Sequence, residues 1–225
     1  MIKQPRTITV DLLRHGKPEG GKCLLGSTDH SLTEQGWQEL RSTASIYSGW
    51  NRIVSSPLQR CSAFAENFSK QRGLPLTKLS GWREIDFGLW DGKSYEYLHQ
   101  AESEALSAFW SDPLNNTPPE GEPVRKFAQR IQSSWQDLIN QSSDREHILL
   151  VTHSGVIRQL IAYILDIPET STASTTRLNL PYASLCRIEV YVDEQGEHWP
   201  RLMFLDTTSN SSTGTSLWQQ KPSQL

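Results

Sequence analysis

The sequence has little cysteine, no excess of basic residues and no long hydrophobic run. Its three cysteines, Cys23, Cys61 and Cys186, are widely spaced and form no Cys-x-x-Cys pair. This pattern indicates reduced thiols rather than a disulfide framework, and it favours a cytoplasmic protein. The formal net charge of −3 at pH 7 lacks the basic excess of chains that bind nucleic acid or anionic membranes, so we expect neither as a partner.

The hydrophobic runs are too short to cross a membrane. The N-terminal run ends at Arg14, so a signal peptide is not expected, and the apolar segment 156–167 is interrupted by Arg158 and Gln159. We therefore expect a soluble protein that acts as a monomer or a homodimer. Its 225 residues are enough for one sizeable domain, predicted over 1–206 and followed by a polar tail at 207–225.

Short apolar runs separated by helical patterns predict an α/β fold. Residues 8–13 and 148–152 are apolar and β-branched, as expected of strands buried in a parallel sheet, and 52–55 forms a similar run. The expected architecture is a three-layer α/β/α sandwich with a mostly parallel central sheet. Residues 81–122 are predicted to be a helical and loop insertion over the active site, with one helix across 94–110.

Local signals also mark where helices begin and end. Thr33 precedes one amphipathic segment as an N-cap, and Ser56 and Pro57 predict the N-cap and first residue of the next helix. That second helix is expected to end at Gly73, with Arg60 in its first turn. Another helix is predicted over 123–140.

Polar residues follow three predicted strands at the point where each strand ends. They are Arg14 and His15, the segment 56–60, and His153 with Ser154. The carboxyl ends of parallel strands share one edge of the sheet, where α/β proteins bind their ligands. Two arginines, two histidines and the N-termini of the following helices would form a cradle for a phosphate group there.

At this point the sequence resembles the histidine phosphatase superfamily, also called phosphoglycerate mutase-like. The first signature is Leu-Leu-Arg-His-Gly at 12–16, and Gly-x-x-Asp-x-x-Leu-Thr-x-x-Gly follows at 26–36. The second-arginine motif matches 55–60, and the second-histidine motif matches 152–155. The resemblance covers about 7–192 and therefore concerns the whole predicted domain.

The resemblance implies a role for each motif residue. His15 would be the nucleophile that becomes phosphohistidine, and Arg14, Arg60 and His153 would bind the phosphoryl oxygens. Glu84 would protonate the leaving group, with Asp86 as the alternative donor. The predicted phosphate- and substrate-binding residues are Arg14, Arg60, His153, Ser154 and Gly26.

Metal binding is the competing use of the six histidines. His147 and His153 lie on one face of a predicted strand, but they would stand ~20 Å apart and could not share an ion. The sequence has no His-Glu-x-x-His motif. We therefore expect neither a metal nor another cofactor, because two arginines can neutralise phosphoryl charge without one.

Two features favour the phosphatase branch of the superfamily. Gly21 stands where many mutases carry Asn, and the segment 87–92 reads Phe-Gly-Leu-Trp-Asp-Gly, similar to the branch's F-G-x-W-E-G. Within the branch the chain resembles the α-ribazole phosphatases of cobalamin synthesis, which implies α-ribazole 5′-phosphate as substrate. The alternatives are a broad phosphatase of small metabolites, a phosphoglycerate mutase and a non-catalytic phosphate-binding homologue.

The aromatic residues of the predicted insertion have two possible uses. Trp82, Phe87, Trp90 and Tyr95 could line a pocket for a flat leaving group, or they could pack beneath the loop as core.

Overall fold

The structure is a computed structural model that describes residues 4–171 and 177–207. The strands in chain order are β1 (Arg6–Arg14), β2 (Arg52–Ser55), β3 (Leu76–Lys78), β4 (His147–Thr152), β5 (Leu185–Val192) and β6 (His198–Asp206). The α-helices are α1 (Glu34–Ile46), α2 (Gln59–Arg72), α3 (Tyr95–Ala101), α4 (Ser103–Ser111), α5 (Val124–Asn140) and α6 (Ser154–Ile164). The predicted tail lies outside the described residues from 208 onward, and the division into one domain and a tail stays a prediction.

The six strands form one mixed sheet in the order β3-β2-β4-β1-β5-β6. The strands β3, β2, β4 and β1 are parallel to one another, whereas β5 and β6 are antiparallel to their neighbours. In the central pair, Arg14 of β1 lies opposite Thr152 of β4. This register places the residues that follow each strand, His15 and His153, side by side at the carboxyl edge. The predicted α/β architecture with a mostly parallel sheet is confirmed.

Helices cover both faces of the sheet because neighbouring residues of a strand point to opposite sides. Ile8, Val10 and Leu12 of β1 belong to a core shared with α5 and α6. Leu13 belongs to a second core shared with α1 and α2. Within the described ranges, no helix is long and apolar enough to cross a membrane.

The start of α2 differs from the sequence prediction. The helix begins at Gln59 rather than Pro57, and its N-cap, Leu58, provides no side-chain hydrogen bond. The carboxylate of Asp29 accepts a hydrogen bond from the Gln59 N–H at 2.6 Å, although it lies 30 residues earlier. A distant acceptor thus replaces the local cap. The helix ends at Gly73 in the left-handed conformation, φ 65°, as predicted.

The single helix predicted over 94–110 is wrong, because the segment forms two helices, α3 and α4. They are separated at Glu102, whose φ of −133° and ψ of 25° are not helical. The sequence around the break contains no glycine or proline, so no local signal marks it. Leu98 of α3 and Leu106 and Phe109 of α4 are all buried in the same core, and this packing decides the geometry.

Candidate active site

The nucleophile candidate, His15, follows β1 directly and is 6% exposed. Its Nδ1 lies 2.8 Å from the carbonyl oxygen of Gly16. A carbonyl can only accept, so Nδ1 carries the proton and Nε2 keeps its lone pair. Burial, with the charges of Arg60 and Arg14, holds the pKa of His15 well below its usual value. The imidazole is therefore neutral and nucleophilic at Nε2.

Arg14 lies beside His15 with its guanidinium 4.2 Å above the ring centroid of Tyr182. One terminal nitrogen donates to the carbonyl of Leu180. Among the residues that the structure describes, nothing accepts a hydrogen bond from its buried Nε. The Tyr182 ring is also 5.7 Å from the His15 ring. Sequence reasoning assigned no role to Tyr182, although the motif Leu-Pro-Tyr-Ala-Ser-Leu at 180–185 contains it.

His153 packs against His15, and Arg60 binds His153. Neither Arg60 nor His153 has exposed surface. The His153 ring is 5.3 Å from that of His15. Arg60 Nε donates to His153 Nδ1 at 3.2 Å, so neutral His153 is protonated at Nε2, which lies 2.8 Å from Ser56 Oγ. Burial, with Arg60 and His15, keeps the pKa of His153 well below its usual value. Both histidines are therefore neutral, and the positive charge next to them is that of Arg60.

The two terminal nitrogens of Arg60 hold the loop that contains Gly26. Its terminal nitrogens donate to the carbonyls of Thr28 at 2.7 Å and Gly26 at 2.6 Å. A Cβ at position 26 would lie 2.0 Å from the carbonyl oxygen of Ile85, which explains the glycine. The structure thus gives Gly26 a packing role, and its predicted binding role stays a prediction.

Asp91 anchors the same loop from the insertion. Its carboxylate accepts from the backbone N–H groups of Gly26 (3.2 Å), Ser27 (2.7 Å) and Thr28 (2.9 Å). Burial alone would raise the pKa of Asp91, but the hydrogen bonds from Thr28, Ser27 and Phe87 hold it below its usual value. An ionised Asp91 therefore ties the loop to the segment that follows Glu84. Sequence reasoning assigned it no role, because its partners in the loop, Gly26, Ser27 and Thr28, lie more than 60 residues away.

Glu84 enters the site from the insertion and faces the start of α6. Its Oε2 accepts from the N–H of Gly155 at 3.0 Å, and its Oε1 accepts from the N–H of Ile85 at 3.2 Å. Burial raises the pKa of Glu84, outweighing these hydrogen bonds and the charges of Arg60 and Arg14. A raised pKa suits a carboxyl group that must hold a proton.

The alternative donor, Asp86, is engaged elsewhere. Its Oδ1 accepts from the N–H of Gly88 at 2.8 Å and from Ser27 Oγ at 3.2 Å. Glu84 lines the pocket together with Arg14, His15 and Ser154, whereas Asp86 closes a turn beside it. The geometry therefore favours Glu84 over Asp86.

The pocket next to His15 has an aromatic wall. The aromatic lining residues are Phe87, Tyr95, Phe109, Trp110, Phe127 and Tyr182. Two of the four aromatic residues considered from the sequence, Phe87 and Tyr95, line it, whereas Trp82 and Trp90 are buried in the core. Arg158 and Gln159 of α6 add polar groups to the lining, which sequence reasoning did not assign to it.

The described residues contain no group of three or more His, Cys, Asp or Glu side chains that could hold a metal ion.

Residues 10–199 match the family model of the histidine phosphatase superfamily, branch 1. This match spans most of the chain and agrees with the fold and with the arginines and histidines at the sheet edge. The protein belongs to the histidine phosphatase superfamily. The predictions of this family and of a phosphatase are confirmed at that level.

Individual relatives agree with the family. The chain is 28% identical over 164 residues to the adenosylcobalamin/α-ribazole phosphatase of Salmonella typhimurium, covering 71% of this chain and 81% of that protein. A crystal structure titled a putative α-ribazole-5′-P phosphatase from Escherichia coli superposes with a TM-score of 0.75 at 22% identity, covering 89% and 96%. Mycobacterial glucosyl-3-phosphoglycerate phosphatase superposes with a TM-score of 0.74 at 23% identity, covering 89% and 98%. The two structures show the same fold.

Proposed function

We propose that the protein is a metal-independent phosphomonoesterase that acts through a phosphohistidine at His15. One observation carries the proposal: a neutral imidazole with Nε2 unprotonated lines a pocket together with Arg14 and a carboxyl group of raised pKa, Glu84. Nucleophile, cation and acid are the three groups that phosphoryl transfer to a histidine requires.

In the first half-reaction, Arg14, which lines the pocket together with His15, binds the phosphate of the substrate. Nε2 of His15 attacks phosphorus, and the bond from phosphorus to the ester oxygen breaks. Glu84 transfers its proton to that oxygen, so the leaving group departs as an alcohol. Arg60 and His153, which the sequence predicts to bind the phosphoryl oxygens, have a supporting role in this proposal, because both are fully buried and bind each other, Ser56 and two loop carbonyls. The positive charge of Arg60 favours an anion beside His15. Ser154 lies at the N-terminus of α6, which also favours an anion.

In the second half-reaction, ionised Glu84 takes a proton from water, and the water oxygen attacks phosphorus. The bond between phosphorus and Nε2 breaks, which releases inorganic phosphate and regenerates neutral His15 and protonated Glu84. The same carboxyl group thus acts first as acid and then as base.

We propose α-ribazole 5′-phosphate as the preferred substrate. The aromatic wall of Phe87, Tyr95, Phe109 and Trp110 suits a flat leaving group. The name of the Salmonella relative supports the same compound. A second candidate is a broad phosphatase of small metabolites, favoured by Arg158 and Gln159, because polar groups in the lining also suit hydroxylated leaving groups.

The test measures kcat/KM for α-ribazole 5′-phosphate against 3-phosphoglycerate, fructose bisphosphates and nucleotides, all in excess EDTA. We expect activity to survive EDTA and α-ribazole phosphate to exceed the others by at least ~10-fold, the size of one good pocket contact. Similar kcat/KM values for α-ribazole 5′-phosphate and the other substrates would contradict the α-ribazole proposal and favour a broad phosphatase. Loss of activity on chelation, restored by a divalent ion, would contradict the metal-independent mechanism.

A further inference from the structure

Arg130 of α5 is directed at the chain segment that leads into Glu84. One terminal nitrogen donates to the carbonyls of Gly81 at 2.8 Å and Arg83 at 3.0 Å. The other donates to the carbonyl of Glu84 itself at 3.4 Å. A single guanidinium therefore binds three carbonyls within four residues, at the end of a short 3-10 helix (Ser80–Trp82) and just after it.

Glu122 holds the guanidinium in this orientation. Its two carboxylate oxygens accept from Arg130 Nε at 2.9 Å and from a terminal nitrogen at 2.7 Å, a bidentate pair. The backbone of Glu122 also binds the segment, because its N–H donates to the carbonyl of Asp86 at 2.8 Å. Both side chains are partly buried, 23% and 19% exposed, which limits screening of the pair by water and salt. The segment is thus fixed on both sides of Glu84.

We propose that Arg130, held by Glu122, is a positioning residue that sets Glu84 for proton transfer to the leaving group. This inference rests on the proposed function. Arg130 need not touch the substrate, because it acts through the backbone from which the Glu84 side chain projects. A lysine could not replace it fully, since one ammonium group lacks the planar fork that reaches Glu122 and the carbonyls together.

The leaving group provides the test. An alkyl phosphate needs a proton on its departing oxygen, whereas p-nitrophenolate leaves without one. For Arg130→Gln we expect kcat/KM to fall by ~10–100-fold with an alkyl phosphate, the size expected for a misplaced catalytic group. With p-nitrophenyl phosphate it should change little, and the inhibition constant of inorganic phosphate should not change. With the alkyl phosphate, kcat/KM of Arg130→Lys should lie between the values of wild type and Arg130→Gln. Glu122→Gln should likewise lose activity on the alkyl phosphate and little on p-nitrophenyl phosphate.

Arg125→Gln is the matched control, because Arg125 is exposed on the same helix. It should behave as wild type with both esters. Equal losses of Arg130→Gln on both substrates would overturn the proposal, because general disruption does not distinguish leaving groups. Unchanged activity on both would overturn it as well. A wild-type protein inactive on both esters would instead overturn the proposed function, and this inference with it.

Discussion

The molecule contains two buried polar clusters on the same pair of central strands, and they differ in how their charges are satisfied. The Asp11 cluster consists of Asp11, Trp50, His147 and Arg187. The active-site cluster consists of Arg14, His15, Arg60, Glu84 and His153. Asp11 and Arg14 stand three positions apart in β1. Because successive side chains of a strand point to opposite faces, these two side chains meet different tertiary partners.

In the Asp11 cluster every partner supports the charge at its centre. Asp11 has no exposed surface and accepts from Arg187 Nε at 2.7 Å and Trp50 Nε1 at 2.8 Å, with His147 Nε2 at 2.9 Å. Burial alone would raise the pKa of Asp11, but Arg187 and His147 hold it below its usual value. The hydrogen bond to Asp11 likewise raises the pKa of Arg187. This cluster is complete without a ligand.

In the active-site cluster the pKa shifts of the two histidines and of Glu84 favour the neutral forms. Burial lowers the pKa values of His15 and His153 and raises that of Glu84. In this cluster two arginines stand beside the carboxyl group of Glu84, whose raised pKa favours the protonated form. The Asp11 cluster is thus balanced by its own partners, whereas in the active-site cluster burial disfavours the ionised form of Glu84 beside two arginines. The second arrangement is the one that would attract an anion, which is why we place the function there.

The largest effect expected is that of His15→Ala. It should lower turnover by at least ~10⁴-fold, the scale of losing a nucleophile. It should also abolish the acid-labile, base-stable phosphoenzyme, measured by rapid quenching with labelled substrate. A variant that still formed this phosphoenzyme would place the nucleophile elsewhere.

The next effect separates the two candidate acids. Glu84→Gln should slow turnover by ~10²–10⁴-fold, the usual loss of a general acid, while inorganic phosphate and vanadate still compete for the site. Asp86→Asn is the matched control and should change turnover much less, because Asp86 binds Gly88 and Ser27. A larger loss in Asp86→Asn would reverse the assignment.

The Asp11 cluster should respond in stability rather than in catalysis. Asp11→Ala should lower the free energy of unfolding by ~1–3 kcal/mol, because it leaves the buried Trp50 N–H and the partly exposed Arg187 without their acceptor. Urea denaturation measures this change, and kcat/KM of the folded variant should stay close to wild type. A variant with wild-type stability and impaired catalysis would contradict the assignment of the Asp11 cluster to stability.

The smallest effect is a pair of opposite pH dependences. Because burial raises the pKa of Glu84, the wild-type protein loses stability as pH rises through that pKa, and Glu84→Gln should remove this loss. Because the pKa of Asp11 is lowered, its contribution is present above its unfolded value and is lost as pH falls through the folded one. Thermal midpoints of both variants, Glu84→Gln and Asp11→Asn, should therefore diverge from wild type as pH rises, Glu84→Gln toward higher stability and Asp11→Asn toward lower stability. Parallel curves would contradict the comparison.

Local signals were sufficient for several elements of the fold. The strand at 52–55, the end of α2 at Gly73 and the helix from Val124 to Asn140 follow from periodicity and from residues whose effect is local. The break at Glu102 and the start of α2 could not be predicted in this way. At the first no glycine or proline marks the change, and at the second the capping carboxylate of Asp29 comes from another part of the chain.

The sequence by itself determined the family, because the motifs at 12–16, 26–36, 55–60 and 152–155 carry the resemblance, and the resemblance implied the candidate catalytic residues. It also placed the arginines and histidines at one edge of the sheet, because the carboxyl ends of parallel strands meet there. Only the tertiary structure decided what each residue contacts. Arg60 faces two loop carbonyls and His153, Glu84 meets the first turn of α6, and Asp11 pairs with Arg187 across 176 residues of chain. Such contacts depend on strand register and on the packing of distant segments. Neither is encoded in the local spacing of side chains.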